Sequence, residues 1–517
     1  MRGIYPRKIK GFRDIDASLN QLRWKIIEAA SAVYKKYGYE HWDTPVLEYA
    51  DSLGKYLPDA DSVAEGVYSF KNPEIEPVYG QRGDELRDAD NNVIMENHHL
   101  TLRYDLTAPL ARVYAENIWT SYLRGEVVEG KANIFRRYQF GPVYRFEAKL
   151  DPGRFREFWQ LDFDTVGSDD VTIDAENCMI LSEALEAIGL KRGTYLVKLN
   201  NRKIMKGLLA HTGVTNETTE QNVMRAIDKL DKIGINAVAA ELGKGRKDEK
   251  SGAFIDGLNL DNTVIDQLVN FIHDFENLTD RKTTIEKLRA KQTIQNPVYS
   301  AGVDELELIS NILDSLEVFN DRVVIDPSLI RGMGYYTGPI FEVESLLTYT
   351  DEKGRTRKVG SICGGGRYDG LVHKLLPVKV PATGASIGVD RLAELLSLTN
   401  NMPEQTDGAV LIVVFDDKMM PEYQKIAKEL RENSINTEIY YGAKKGLKHQ
   451  LAYADQKNAP FALLLGEDEL NKGVISVRNL KLGKLLADSI TDKTEWKNKV
   501  QQEVERKNLV NYLLKAI

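Results

Sequence analysis

Residues 143–167 read VYRFEAKLDPGRFREFWQLDFDTVG. Taken at a period of two, the second half divides into two sets. Arg154, Arg156, Phe158, Gln160, Asp162 and Asp164 point one way. Phe155, Trp159, Leu161, Phe163 and Thr165 point the other, with Glu157 out of pattern. Such alternation predicts a β-strand with one apolar and one polar face. The preceding run, residues 135–147, is also strand-like and brings Arg145 and Glu147 together, so the two runs predict a hairpin. A polar strand face is ordinarily solvated. Three arginines, a ring, an amide and an acid on one hairpin instead suit a ligand with phosphates, a flat base and an amine.

The chain around this hairpin has 517 residues, enough for two to four domains. Its 42% hydrophobic and 28% charged residues fit an ordinary globular protein. No run approaches the length of a membrane span, and the first residues, MRGIYPRKIKGFRDI, lack the apolar core of a signal peptide. Cys178 and Cys363 are the only cysteines, which excludes a disulfide framework and points to the cytoplasm. The seven histidines show no HxxxH or HxxH spacing, which argues against zinc. A net charge of −8 argues against binding nucleic acid through overall charge, but local basic patches stay open to it.

Leu19, Leu22, Ile26, Ala30, Val33 and Tyr37 recur at helical spacing, with Asp16 or Ser18 to cap the start and Gly38 to end it. HWDTPVLEY follows as a short strand containing Pro45, which places it at a sheet edge or interface. Residues 54–98 read as hairpins and loops, and residues 98–117 pass from strand to helix near Thr107. Residues 170–190 are helical, TYLVKLN is a strand, and residues 202–320 are helical with a charged loop at GKGRKDEKSG. Strands return at RVVIDPS, GPIFEVES and KVGSICGGGRYDGL, and ATGASIGVDRLAELLSL runs from strand into helix. NNMPEQTDG is a linker. Beyond it, strands alternate with helices, which predicts a small α/β unit with a mixed, mostly parallel sheet.

Four segments put polar chemistry into this apolar pattern. In LRYDLT, Arg103, Asp105 and Thr107 alternate onto one strand face, which alone reads as an edge strand with a surface ion pair. The hairpin is the second segment and RGMGYYTGPIFE, residues 331–342, the third. The fourth is the pair CGGGRYDGL and GASIGVDRL. The glycine run alone reads as a turn, and Asp390 alone as an acid at the positive end of a helix. Two adjacent tyrosines beside an arginine and between glycines suit neither surface nor core.

In this order the segments resemble those of the class II aminoacyl-tRNA synthetases, specifically the histidyl-tRNA synthetases. YRFE…GRFREFWQ is similar to the class hairpin motif, and GASIGVDRL to its third motif. The region around Pro45 is a looser match to the dimer motif. RGMGYYTGPIFE and CGGGRYDGL are similar to the two segments peculiar to the histidine enzymes. No HIGH or KMSKS element of class I is present. The resemblance implies an α/β chain with an α+β catalytic domain on an antiparallel sheet with flanking helices (residues 1–212 and 321–400). It implies a helical insertion (213–320) and a C-terminal α/β anticodon-binding domain (405–517).

It also implies an activity, that of a histidine–tRNA ligase acting on L-histidine, ATP and tRNA(His) as a homodimer. Arg145 would contact the ATP α-phosphate, and Arg154 and Arg391 the terminal phosphates. Phe158 would stack on adenine, Glu147 would accept from its amino group, and Mg²⁺ would bridge phosphate oxygens, with no metal ligand identified among the residues. Arg331 would stabilise charge as the histidine carboxylate attacks. Asp105, Thr107 and Gln160 would hold the α-amino group. Asp164 and Tyr336 would read the two imidazole nitrogens, with Tyr335 and Tyr368 in the pocket. A site built on such buried hydrogen bonds rejects analogues lacking them by ~10⁴ or more. Lys444, Lys445, Lys448 and His449 form a basic cluster suited to RNA in the last domain.

Three departures stand out. Gly334 replaces the usual acid before the tyrosine pair. AKLDPG (148–153) replaces an Arg-Pro-Gln-type loop, which bears on use of the extra 5′ guanosine of histidine tRNA. Asp164 replaces a common Glu. A competing expectation is a synthetase-like regulatory subunit of histidine biosynthesis. Such paralogues typically lack the last domain and erode the arginines.

Overall fold

The computed structural model describes the chain apart from residues 1–4, 51–65, 74, 80–83, 88–90, 96–98, 125–132, 147–153, 249–251, 277, 292, 332–334, 352, 400–406, 444–445, 488 and 491. The chain forms two compact units, Met1–Pro403 and Glu404–Ile517. In chain order the strands of the first are β1 (Glu40–His41), β2 (Leu47–Tyr49), β3 (Ser69–Lys71), β4 (His99–Leu102), β5 (Phe135–Tyr144), β6 (Glu157–Val166) and β7 (Tyr195–Asn201). β8 (Gly245–Lys247), β9 (Phe254–Asp256), β10 (Val323–Ile325), β11 (Pro339–Thr350), β12 (Thr356–Arg367) and β13 (Ala382–Gly388) follow.

Eight of them form one sheet, ordered β1-β5-β6-β13-β12-β11-β7-β10, antiparallel through its middle and parallel at both ends. The expected hairpin is there. β5 and β6 pair antiparallel from Phe135↔Val166 to Tyr144↔Glu157. The apolar face of β6 covers the first helix, Ala17–Lys36, where the Tyr34 and Phe163 rings lie 4.8 Å apart and Trp24 meets Trp159 edge-on at 5.9 Å. That helix begins as its sequence predicts, with Asp16 accepting from the Leu19 amide at 2.8 Å. A second long helix, Thr172–Ile188, lies against the first, and Ala175, Cys178, Leu181 and Leu185 join the core between helices and sheet. Burial of this apolar stripe, rather than intrinsic propensity, holds such helices.

Three local expectations change. Pro45 sits between β1 and β2 and not inside a strand, because proline supplies no amide to a ladder. Within and just after the charged segment, Gly245–Lys247 (β8) pairs antiparallel with Phe254–Asp256 (β9). LRYDLT is not a strand face: β4 ends at Leu102 and a helix, Thr107–Leu123, starts five residues later. Arg103 is buried as a clamp, donating from Nε to the Pro142 carbonyl at 2.9 Å and from Nη1 to that of Thr44 at 2.8 Å.

Helices Glu217–Ile227, Asn262–Asp274, Arg281–Arg289 and Pro297–Ser315 follow β7, and their apolar residues share one continuous core with the large sheet. The second unit holds β14 (Val410–Val413), β15 (Thr437–Ile439), β16 (Phe461–Leu464), β17 (Val474–Asn479) and β18 (Gln501–Glu505) in the order β15-β14-β16-β17-β18. Its sheet is mixed, with two parallel and two antiparallel pairings, and a core of its own built on Tyr423, Ile426 and Leu430.

Candidate active site

The middle of the large sheet floors a cavity of about 930 Å³. The polar face of β6 is part of that floor. Phe158, Gln160, Asp162 and Asp164 all line it, and the last three are buried, so this face is enclosed where an ordinary polar face would be wet. Gln160 donates from Nε2 to the Ser386 hydroxyl on β13 at 2.8 Å. Its Oε1 is buried with no hydrogen-bond partner among the described residues, and the same holds for Asp162 Oδ1. Buried polar atoms are normally paired, so these acceptors mark a place built for donors.

Asp164 is more fully engaged. The Tyr368 hydroxyl donates to its Oδ1, and Arg137 Nη2 lies 3.2 Å from its Oδ2. Arg137, 1% exposed, also donates to the Leu106 carbonyl at 2.6 Å. Sequence reasoning missed Arg137, although a signal existed. In the antiparallel hairpin, the residue directly across from Asp164 is Arg137. Burial pushes both carboxyls up, Asp162 to about 8 with Asp164 as its next cause, while Arg137 opposes the rise in each. Two buried carboxylates thus lie within reach of Arg137, which makes its ion pair with Asp164.

Arg331 enters from the loop before β11. It donates from Nη1 to the Phe341 carbonyl at 3.3 Å and to Glu342 Oε2 at 3.1 Å, and Arg202 donates to its own carbonyl at 2.9 Å. The glycine run lies beneath it, within β12 and not in a turn. A Cβ on Gly364 would stand 1.8 Å from Arg331 Nη1, and one on Gly365 would stand 2.1 Å from the Gly384 carbonyl. The glycines therefore let a guanidinium and a neighbouring strand approach the backbone. Arg367, at the end of the run, pairs with buried Asp174 through Nε at 2.9 Å and Nη2 at 2.8 Å and ties β12 to helix Thr172–Ile188. Burial raises Asp174 to about 6 against the pull of Arg367. Tyr335, Tyr336 and Tyr368 close this end of the cavity, with ring centroids of the first two 4.7 Å apart and Tyr335 meeting Tyr368 edge-on at 6.0 Å.

Arg145, Arg154 and Arg391 line the cavity as well. Arg145 donates from Nε to the Tyr104 carbonyl at 3.1 Å and lies 4.3 Å from the Tyr104 ring centre and 5.2 Å from that of Phe158. Arg391 donates from Nη2 to the Val359 carbonyl at 2.8 Å. Its neighbour Asp390 stands in the first turn of helix Val389–Leu398, as its sequence position suggests. It is buried and accepts from Arg23 at 2.7 Å, Arg13 at 3.1 Å and the Trp159 amide at 2.6 Å, which locks the turn carrying Arg391. Asp105 caps helix Thr107–Leu123, its Oδ1 accepting from the Thr107 amide at 3.1 Å and the Ala108 amide at 2.9 Å, and both Asp105 and Thr107 reach the cavity. Ile227, Asp228, Leu230 and Lys232, from the helical segment after β7, complete the wall and were not foreseen.

The cavity thus brings together every predicted site residue except Glu147, which lies outside the described residues with the AKLDPG tip and Gly334. Lys444 and Lys445 also lie outside them, while Lys448 and His449 are exposed on the second unit. Among the described residues no group of three or more His, Cys, Asp or Glu side chains could hold a metal ion, and no helix is long and apolar enough to cross a membrane.

Comparison with known proteins adds an independent line. Residues 81–392 match the family profile of histidyl-tRNA synthetase, and residues 409–516 that of an anticodon binding domain. A histidine–tRNA ligase of Paracoccus denitrificans is 42% identical over 502 residues, 97% of this chain and 95% of that protein. One of Caulobacter vibrioides is 41% identical, covering 99% of this chain and 96% of that protein. The structure of histidyl-tRNA synthetase from Nostoc sp. PCC 7120 is similar with a TM-score of 0.69 at 26% identity, each chain covered in full. A Bacillus halodurans structure described as an ATP phosphoribosyltransferase regulatory subunit/histidyl-tRNA synthetase shares the fold at 21% identity and a TM-score of 0.59, over 87% of this chain and 97% of its own.

Proposed function

The chain belongs to the histidyl-tRNA synthetase family, and we propose that it is a histidine–tRNA ligase whose cavity is the activation site. The observation that carries the reading is the meeting of Arg145, Arg154, Arg331 and Arg391 with the Asp164–Tyr368 pair in one cavity. Cations at one end and an enclosed acid–phenol pair at the other suit a nucleotide triphosphate beside a small polar amino acid.

The substrates are ATP, L-histidine and tRNA. A histidine carboxylate oxygen attacks the α-phosphorus of ATP. The new O–P bond forms as the bond to pyrophosphate breaks, giving histidyl-adenylate. Arg145 contacts the α-phosphate, Arg154 and Arg391 the terminal phosphates, and Phe158 stacks on adenine, with Glu147 accepting from its amino group. Arg331 sits where it can stabilise charge growing between carboxylate and phosphorus; fixed cations of this kind act without reorganising. Asp105, Thr107 and Gln160 hold the α-amino group. Asp164 accepts from one imidazole nitrogen and Tyr336 donates to the other, with Tyr335 and Tyr368 packed around the ring. A terminal ribose hydroxyl of tRNA(His) then attacks the adenylate carbonyl, its proton passes to solvent, and AMP leaves.

Magnesium would enter as an ion carried by the ATP phosphates, which is usual for Mg²⁺. It would screen phosphate charge.

We assign activation to residues 1–212 and 321–400, a supporting insertion to 213–320 and anticodon recognition to 405–517. Dimerisation would cover Trp42 and Leu47, large apolar side chains exposed on either side of Pro45. A cytoplasmic setting agrees with Cys178 and Cys363, both buried as free thiols. The retained arginines and the second unit count against a purely regulatory role. ATP–pyrophosphate exchange with each amino acid in turn tests the reading. Exchange should depend on histidine, and its absence with pure protein and Mg²⁺ would overturn the proposal. Sizing in solution should return a dimer.

A further inference from the structure

Asp162 has no part in the roles assigned above, yet it lies on the cavity floor between Gln160 and Asp164 and is 2% exposed. Strand geometry puts it on the same face as both, about 7 Å from each along the strand. Ser386 on β13 hydrogen-bonds its carboxyl. Its Oδ1, and the Oε1 of Gln160 beside it, are buried acceptors with no protein donor among the described residues. The charges facing it are Arg137 on β5, Asp164 on its own strand, Asp105 before helix Thr107–Leu123, and Arg103 after β4. The phenols of Tyr34, on the first helix, and Tyr368, after β12, complete its titratable neighbours. Arg137 makes its ion pair with Asp164. Asp164 Oδ2 also lacks a hydrogen bond but has Arg137 at ion-pair distance, whereas Asp162 makes no ion pair among the described residues, so it is the acid of this floor that still needs a cationic donor.

We propose that Asp162 is a further substrate-binding residue that receives the α-ammonium of the substrate, together with Gln160 Oε1 and Asp105. The inference rests on the cavity being the amino-acid site. An ammonium group offers three N–H donors and one positive charge. It pairs Asp162 Oδ1 and Gln160 Oε1 and brings a hydrogen-bonding cation to the carboxyl that makes no ion pair of its own. The empty site favours a protonated Asp162, so binding the ammonium displaces a proton.

The test compares the full-length wild type with Asp162→Asn, which keeps the side-chain shape. In exchange assays the KM for histidine should rise about 10- to 100-fold while that for ATP stays within about twofold, the loss of one charge-assisted contact. Calorimetric binding of imidazolepropionate, which is histidine without its amine, should be the same in both proteins. The wild-type KM for histidine should fall as pH rises from about 7 to about 8.5, and the Asn variant should lose that component. Asp162→Ala, measured with the same pair of ligands, guards against an effect of the asparagine amide. An unchanged KM for histidine, or an equal loss of imidazolepropionate binding, would overturn the inference. A wild type without histidine-dependent exchange would sink the functional reading instead. The calorimetric contrast between histidine and imidazolepropionate would then decide Asp162 by itself.

Discussion

At the proposed amino-acid end of the cavity, Asp164 is enclosed and already engaged by Arg137 and Tyr368. At the proposed nucleotide end, Arg145 is held by a backbone carbonyl, that of Tyr104. The difference follows from charge. A buried carboxylate needs a cation or it takes up a proton, so the amino-acid end must carry its own counter-charge. A guanidinium has five donors, and a carbonyl fixes its direction without neutralising it. One end is therefore a closed network suited to discrimination, and the other an oriented positive field suited to phosphates.

The largest expected effect comes where the two ends meet. Arg331→Ala should leave the fold intact and lower the activation rate ~10²–10³-fold, as for other groups that act mainly on developing charge. Gly364→Ala should approach the same loss without touching the arginine, because the added Cβ would stand 1.8 Å from its Nη1. Single-turnover adenylate formation reads both, and near-normal rates in either would remove Arg331 from its role.

Arg137→Leu asks whether the amino-acid end depends on its own cation. It should destabilise the first unit by about 3 kcal/mol, the lower part of the range for breaking a buried pair, since Asp164 escapes by protonation. Denaturant unfolding measures the loss, and histidine binding should weaken alongside it. An unaffected unfolding midpoint would mean that the pair is not an energetic unit.

Phe158→Ala should act on the other end alone. Loss of base stacking is worth about 1–3 kcal/mol, so the KM for ATP should rise about tenfold or more with that for histidine unchanged. A parallel rise in both would blur the division between the two ends.

The smallest effect concerns pH. Asp162 and Asp174 have folded-state values raised above those of the unfolded chain, to about 8 and about 6. Such groups contribute stability in full below about pH 4, and it is lost as pH rises through the folded value. Melting temperature should fall from pH 5 toward about pH 8.5, by a few degrees, and Asp162→Asn should flatten the upper half of that slope. An Asn variant with the wild-type slope would mean that Asp162 does not titrate in the folded protein.

The two faces of β6 were legible because alternation is a property of one short segment. The role of Arg137 was not. FRRYQF contains adjacent arginines that go to opposite sides of the sheet: Arg136 pairs with Glu176 on a helix, and Arg137 reaches Asp164. Asp390 was legible as an acid at a helix start, and only its contacts with Arg13 and Arg23, more than 300 residues away, show it to be a buried anchor. The glycines of CGGGRYDGL were legible as a strand in context, but not as the clearance beneath Arg331.

Periods of two and 3.6 depend on neighbours along the chain, so the strands, the helices and the faces of the hairpin could be read from the residues in order. So could the residue types that suit phosphate, base and amine. Strand order β6-β13-β12-β11 brings segments from residues 105, 160, 331, 364 and 391 around one cavity. That convergence, and with it which carboxylate is paired and which is left wanting a donor, depends on contacts across hundreds of residues. Burial and charge balance exist only once those contacts have formed.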